Sequence, residues 1–184
     1  DDDDERNAET ELRKQQEMKD LTSTYVNDVV YVTYGRLADA TESLYGKIET
    51  MKSSLSAGSL TQSQIDDVCN TFLEARAWWE KSEAWLYGPA EVHGIDPHID
   101  TWPLSRDGLA TFLKNNRNTI FAPGYDINNA IEQVSRNNNE DSWLGFHGLE
   151  FILFRDGSPR TVSNFSGEET AAEFAGSGVD GKLE

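Results

Sequence analysis

Several ingredients are scarce in this chain, and each scarcity removes a class of function. One cysteine, Cys69, allows neither an internal disulfide nor a thiolate metal cluster. Lys and Arg number 16 against 33 Asp and Glu, a net charge of −17, so phosphate backbones and anionic membrane surfaces would be repelled and cations are the more natural company. No apolar run approaches the roughly eighteen residues of a membrane span, and no signal peptide opens the sequence, which reads as soluble as given or already processed. Also missing are a nucleophile elbow, a glycine-rich phosphate loop and the paired-histidine zinc motif. Serine or cysteine nucleophilic catalysis therefore finds no support.

What is present supports a globular reading, with 184 residues, 37% of them hydrophobic and 10% aromatic. Asp1 to Asp4 and Glu5 are too polar to pack, and residues 1–20 read as an acidic, solvated tether. From about Glu11 to Ser56 the spacing is helical, with Val30, Tyr34, Leu37, Thr41, Leu44, Ile48, Met51 and Leu55 forming one apolar seam and Gly58 a natural stop. The valines from Val26 to Val32 could pass for a strand, but the seam runs through them without a turn signal. Thr61 with Gln64 is a capping-box signature. It opens an aromatic-rich helix through Phe72, Leu73, Trp78, Trp79, Trp85 and Leu86 to Gly88-Pro89. On that helix Arg76, Glu80 and Glu83 share a stripe that faces either water or a polar pocket.

Residues 90–106 form a connection punctuated by Asp96-Pro97 and Trp102-Pro103. Trp102 is expected as its hydrophobic anchor, Asp96 and Asp100 as turn and cap residues, and His93 and His98 as surface residues. Ser105 caps a short helix through Leu113; another runs from about Asp126 to Arg136, and Asn137 to Asn139 end it. Past Ser158 the chain turns polar and glycine-rich, with Phe165 and Phe174 as isolated apolar anchors and no terminal element before Glu184.

The chemistry concentrates in Trp143 to Phe154, WLGFHGLEFILF, a helix capped by Asp141 or Ser142 and closed at Asp156-Gly157. It is apolar on every side of a helical wheel, so it is expected inside a core, yet it carries His147 and Glu150. A spacing of three, at ~100° per residue, places imidazole and carboxylate on one face. Glu150 is the only formal charge between Asp141 and Arg155, and burying it would cost several kcal/mol without a proton, a hydrogen-bond partner or a metal. Gly145 and Gly148 suit a helix that another backbone or a ligand must approach closely. The pair has three readings: a plain hydrogen-bonded core pair, a metal half-site suited to zinc or iron, or an acid–base pair. Two ligands are too few for a zinc peptidase or a di-iron centre. Glu83, between Trp79 and Trp85, is the third candidate ligand.

Gly145-Phe146-His147-Gly148-Leu149-Glu150 matches the G-x-H-x-x-E signature of the imelysin family, and Ala75 to Leu104 resembles its second hallmark through Arg76, Trp79, Ser82-Glu83, Gly88-Pro89, Asp96-Pro97, Asp100 and Trp102-Pro103. The resemblance covers roughly Tyr25 to Asn164. It implies an all-helical fold of two related bundles of which this chain holds one, as residues 21–157, with 158–184 a polar tail or lead-in to the missing second bundle. It also implies export to the periplasm or cell surface, anchoring by lipid, and a link to iron uptake. His147, Glu150 and Glu83 become the expected metal ligands for iron or zinc, with Arg76, Trp79 and Trp102 lining the site. The expected partners are a metal ion or small ligand and the second bundle; nucleic acid is not among them. The family's name comes from a proposed metallopeptidase activity, so catalysis by His147 and Glu150 and a non-catalytic interaction module both remain open.

Overall fold

The computed structural model describes residues 2–106, 108–110, 122–126 and 144–165. The stretch of the expected short helix past Ala110 to Leu113, the helix expected over 127–136, the loop Asn137 to Asn139, the caps Asp141 and Ser142, Trp143 and Phe174 lie outside the described residues. Helix α1 spans Asp2–Tyr25, a π-helical segment spans Val26–Val30, and α2 spans Tyr31–Ser56, all three sharing right-handed helical backbone at the junctions. The acidic opening is helical. Asp2, Asp3, Asp4 and Glu5 sit in its first turn, where negative charge complements the helix dipole, and Arg6–Asp3 and Lys14–Glu11 pairs brace the exposed surface. No residue of α1 is buried, which fits its solvated reading.

Below Val30 the expected seam is in place: Val30, Leu37, Leu44 and Met51 are buried, and Tyr34, Thr41, Ile48 and Leu55 are half-buried beside them. Gly58, at φ 68°, closes the turn after α2. The capping box at Thr61 then opens α3, Gln62–Ser82: the Thr61 hydroxyl accepts from the Gln64 N–H at 3.3 Å while the Thr61 N–H donates to Gln64 Oε1 at 3.1 Å. Lys47 reaches Asp67 and Thr71, whereas Ser54 meets Gln64, so α2 and α3 form an antiparallel hairpin. Ile65, Val68, Cys69, Phe72, Ala75 and Trp79 project from α3 into the core and are almost wholly buried. Each of the larger apolar side chains there contributes roughly 1.5–3 kcal/mol.

A 3-10 turn at Glu83–Trp85 ends this helix, followed by the short helices α4, Pro89–Val92, and α5, Asp96–Ile99. Ser105 caps the next segment as its hydroxyl accepts from the Gly108 N–H at 3.1 Å. Helix α6 is Phe146–Leu153, shorter than the expected helix to Asp156-Gly157. It stops because Asp156 and Gly157 both adopt positive φ, 50° and 78°, and make a hairpin turn that pairs β1, Phe154–Arg155, with β2, Ser158–Pro159. The chain beyond residue 157 continues into the packed body: Arg160 is buried, and α7, Val162–Phe165, lays Val162 and Phe165 against the core.

Helix α6 and its hairpin run antiparallel along α3. Phe146 packs on Trp79 and Phe72, Phe154 on Phe72, the Cys69 thiol faces the Leu153 carbonyl at 3.6 Å, and Gln62 reaches the Arg160 carbonyl. The result is an all-α body with one small two-stranded sheet among the described residues. The expectation that α6 is enclosed on all sides is corrected here: Phe146, Gly148 and Leu153 are buried, but the flank carrying Glu150 and Phe151 is not. An eight-residue helix lying on one partner covers only one of its own faces.

Candidate functional site: a histidine and two carboxylates at an aromatic cleft

Gly145 sets up the site. Its φ of 87° and ψ of −163° belong to a region that only glycine enters readily, and a Cβ placed there would stand 2.4 Å from the Ile99 carbonyl oxygen and 2.9 Å from that of His98. The start of α6 is therefore pressed against the end of α5. The residue after Ile99 is Asp100, and this contact delivers its carboxylate to His147.

Asp100 is the hub. Its side chain is 10% exposed; it accepts from Arg76 Nη1 and from Trp79 Nε1 at 2.8 Å, and one of its oxygens stands 3.0 Å from His147 Nε2. Arg76 also pairs with Glu80 at 2.5 Å, one turn along α3. Burial works against the Arg76 cation, but the Asp100 hydrogen bond and the charges of Asp100, Glu80 and Glu83 outweigh it and hold its pKa above the ordinary value. The expectation that Asp100 is a turn or cap residue is thus corrected: it is the carboxylate that lets the Trp79 indole be buried and Arg76 be half-buried.

Nε2 faces Asp100, which leaves Nδ1 on the other side of the ring, turned toward Glu150. Nδ1 lies 3.6 Å from Glu150 Oε2, too far for a hydrogen bond but close enough for both atoms to address one guest. Two ligands of one tetrahedral metal ion, each bonded at about 2.0–2.2 Å, stand roughly 3.3–3.6 Å apart, so imidazole and carboxylate fit as a half-site. The expected sequestering of the acid fails, however. His147 is 20% exposed and Glu150 is 55% exposed, so the carboxylate meets solvent and carries little of the desolvation cost that burial would impose.

Trp102 departs from expectation as well. It is 71% exposed, not an anchor, and its ring packs at 4.7 Å on the His147 imidazole. Together Trp102, His147, Glu150 and Phe151 border a cleft of about 610 Å³, with Leu73 and Phe154 among its apolar walls and Arg106 and Asp156 at its edge. Glu83 does not line it. That residue is exposed in the 3-10 turn, where its carboxyl is raised above the usual range by desolvation and by the hydrogen bond and charge of Glu80. His93 and His98 are exposed, as expected. Among the described residues no group of three or more His, Cys, Asp or Glu is placed to hold a metal ion, and no helix is long and apolar enough to cross a membrane.

The glycine-delivered pairing of His147 with Asp100 ties both hallmark stretches into one site, and the imelysin (peptidase M75) family description matches residues 30–179. The chain belongs to the imelysin family. Over 135 residues it is 29% identical to iron-regulated protein A of Synechococcus elongatus, covering 73% of this chain and 31% of that protein. The crystal structure of an imelysin peptidase from Bacteroides ovatus superposes with a TM-score of 0.58 at 31% identity, covering 74% of this chain and 36% of the other. A putative iron-regulated protein A precursor from Parabacteroides distasonis shares the fold at a TM-score of 0.57 and 24% identity, over 83% of this chain and 38% of that one. This imelysin chain thus spans about a third of the length of the relatives it matches.

Proposed function

We propose that this imelysin domain captures iron that arrives already held by a small organic chelator, as part of an exported binding protein of the cell envelope. One observation carries the reading: His147 Nδ1 and Glu150 Oε2 stand 3.6 Å apart at the mouth of a cleft, with the other imidazole nitrogen tied to Asp100. A carboxylate on the far ring nitrogen is the arrangement that orients metal-ligating histidines and raises their basicity. Two protein donors leave most of an iron ion's coordination to be filled from elsewhere. A chelator supplies those donors, and the apolar walls of the cleft give its organic part a place to bury. The names of the cyanobacterial and Parabacteroides relatives support the iron link, and the word precursor in the latter supports export. Further ligands, Glu83 or a group from a second helical bundle of a longer protein, would complete the site only after a rearrangement.

Thermal melting tests this. At a hundredfold excess over Kd a ligand bound only by the folded state adds about 2.7 kcal/mol, a Tm rise of roughly 5–11 °C for a chain of this size. Ferric chelates should produce it and His147→Ala or Glu150→Gln should abolish it. Absence of any shift with free iron, zinc or ferric chelates would remove the reading. Peptide hydrolysis is the alternative outcome: it requires metal-dependent cleavage of a peptide library that Glu150→Gln abolishes, and a catalytic zinc site normally takes three protein ligands.

A further inference from the structure

We infer that the cleft selects a planar aromatic ligand bearing a single negative charge, its ring stacked on Trp102 and its anionic group paired with Arg106; this deepens the chelate reading and rests on it for the role of iron. Trp102 exposes most of its indole, and the His147 ring packs against part of it, so an open aromatic face stands at the cleft mouth. Offset or edge-on packing of a ligand ring there gains more than its apolar area alone. Arg106 holds its guanidinium 5.9 Å over the Phe151 ring and makes no ion pair among the described residues, although acids outnumber bases by 17 in the chain. A cation with no acid against it among the described residues of so acidic a protein, at the edge of an aromatic cleft, is matched to an anion supplied from outside.

The surrounding charge narrows the class further. Glu150 and Asp156 border the same space, and with the net charge of −17 they oppose a polyanion. One carboxylate facing Arg106 satisfies the local cation without that penalty. A donor atom ortho to the carboxylate on the ring, such as a phenolic oxygen, would let the same small molecule hold iron beside His147 and Glu150.

Isothermal titration of the protein with metal-free salicylate, cyclohexanecarboxylate and benzamide separates these contributions. Salicylate is expected to bind roughly tenfold or more tightly than cyclohexanecarboxylate, which keeps the charge but lacks the ring face, and than benzamide, which keeps the ring but lacks the charge. Arg106→Gln and Trp102→Ala should each weaken salicylate by about tenfold, and Trp102→Phe should retain most of the affinity. Both replaced side chains are exposed, so folded protein is expected for every variant, checked by its circular dichroism. Equal binding of the three probes, or wild-type affinity in Arg106→Gln and Trp102→Ala, overturns the inference. A second arm compares ferric salicylate with ferric acetohydroxamate. Equal affinity for the two sinks the aromatic selection while leaving the iron reading intact. Salicylate binding that depends on Arg106 and Trp102 but gains nothing from iron upholds the selection and removes the iron reading.

Discussion

Replacing Gly145 by alanine should dismantle the site without touching any of its polar groups. The new methyl would lie 2.4 Å from the Ile99 carbonyl oxygen, where carbon–oxygen contacts settle at about 3.3 Å or more, so α5 and α6 must part by roughly 0.9 Å. The backbone at φ 87° adds about 1–3 kcal/mol for an L-residue. Since Asp100 follows Ile99 directly, the same retreat widens the 3.0 Å separation between its carboxylate and His147 Nε2. The backbone strain alone gives a loss of about 1–3 kcal/mol, a Tm drop of roughly 2–12 °C. Urea denaturation reads the stability, and 15N chemical shifts of the imidazole read whether the ring keeps its wild-type surroundings. Gly46→Ala is the control, because nothing lies within 4 Å of its Cβ position in α2 and the change should be neutral or stabilising by up to about 1 kcal/mol. If Gly145→Ala melts with wild type and keeps the wild-type imidazole shifts, the close approach of α5 to α6 does not deliver Asp100 and the reasoning fails.

Asp100→Leu alone takes the shared acceptor from Arg76 and Trp79, leaving Arg76 only the exposed Glu80, and should cost about 1.5–3 kcal/mol, whereas Asp100→Leu with Arg76→Met should recover part of that loss in a double-mutant cycle. Burial pushes the Cys69 thiol from 9.0 up to about 11, with the Asp66 charge adding to it, so iodoacetamide at pH 8 should label the unfolded chain far faster than the folded one. Between those two values the unfolded state releases its thiol proton first, so stability should fall as pH rises from 9 to 11, by about 2–3 kcal/mol in all, and a Cys69→Ala variant should lack that component. Thr61→Ala breaks the capping box and should lower stability by about 1 kcal/mol, a Tm change of roughly 2–4 °C by calorimetry.

The parts of this fold that repeat locally were the parts legible in the sequence. The seam from Val30 to Leu55, the box at Thr61 and Gln64 and the stop at Gly58 each depend on residues within a turn or two of one another, and each is where its spacing places it. Asp100 was not legible as a hub because its partners Arg76, Trp79 and His147 sit 24, 21 and 47 positions away, on two other elements. A signal did exist. Arg76 adjoins the buried Ala75 on the helix and follows Phe72 by one turn, so a guanidinium so near the core needs an acid, and α3 itself offers only the exposed Glu80. The loop that supplies Asp100 has no periodicity from which its path could be read. Apolar residues all round α6 were ambiguous for a different reason: a wall of a cleft and a face in a core use the same side chains, and Phe151 belongs to the former.

The two carboxylates nearest His147 divide the work by their exposure. Asp100, with Arg76 and Trp79 donating to a nearly buried side chain, does not line the cleft, and its effect reaches it through the imidazole 3.0 Å away. Glu150, more than half exposed and not hydrogen-bonded to Nδ1 at 3.6 Å, keeps its oxygens available. Were both carboxylates buried, the imidazole would be saturated and the pair would be a structural device. Were both exposed, nothing would hold the ring in place against Trp102. One fixed acid and one free acid on opposite sides of a single imidazole leave two uncommitted donors beside an aromatic wall, which is why the proposed guest is an ion that brings its own ligands and not a bare one.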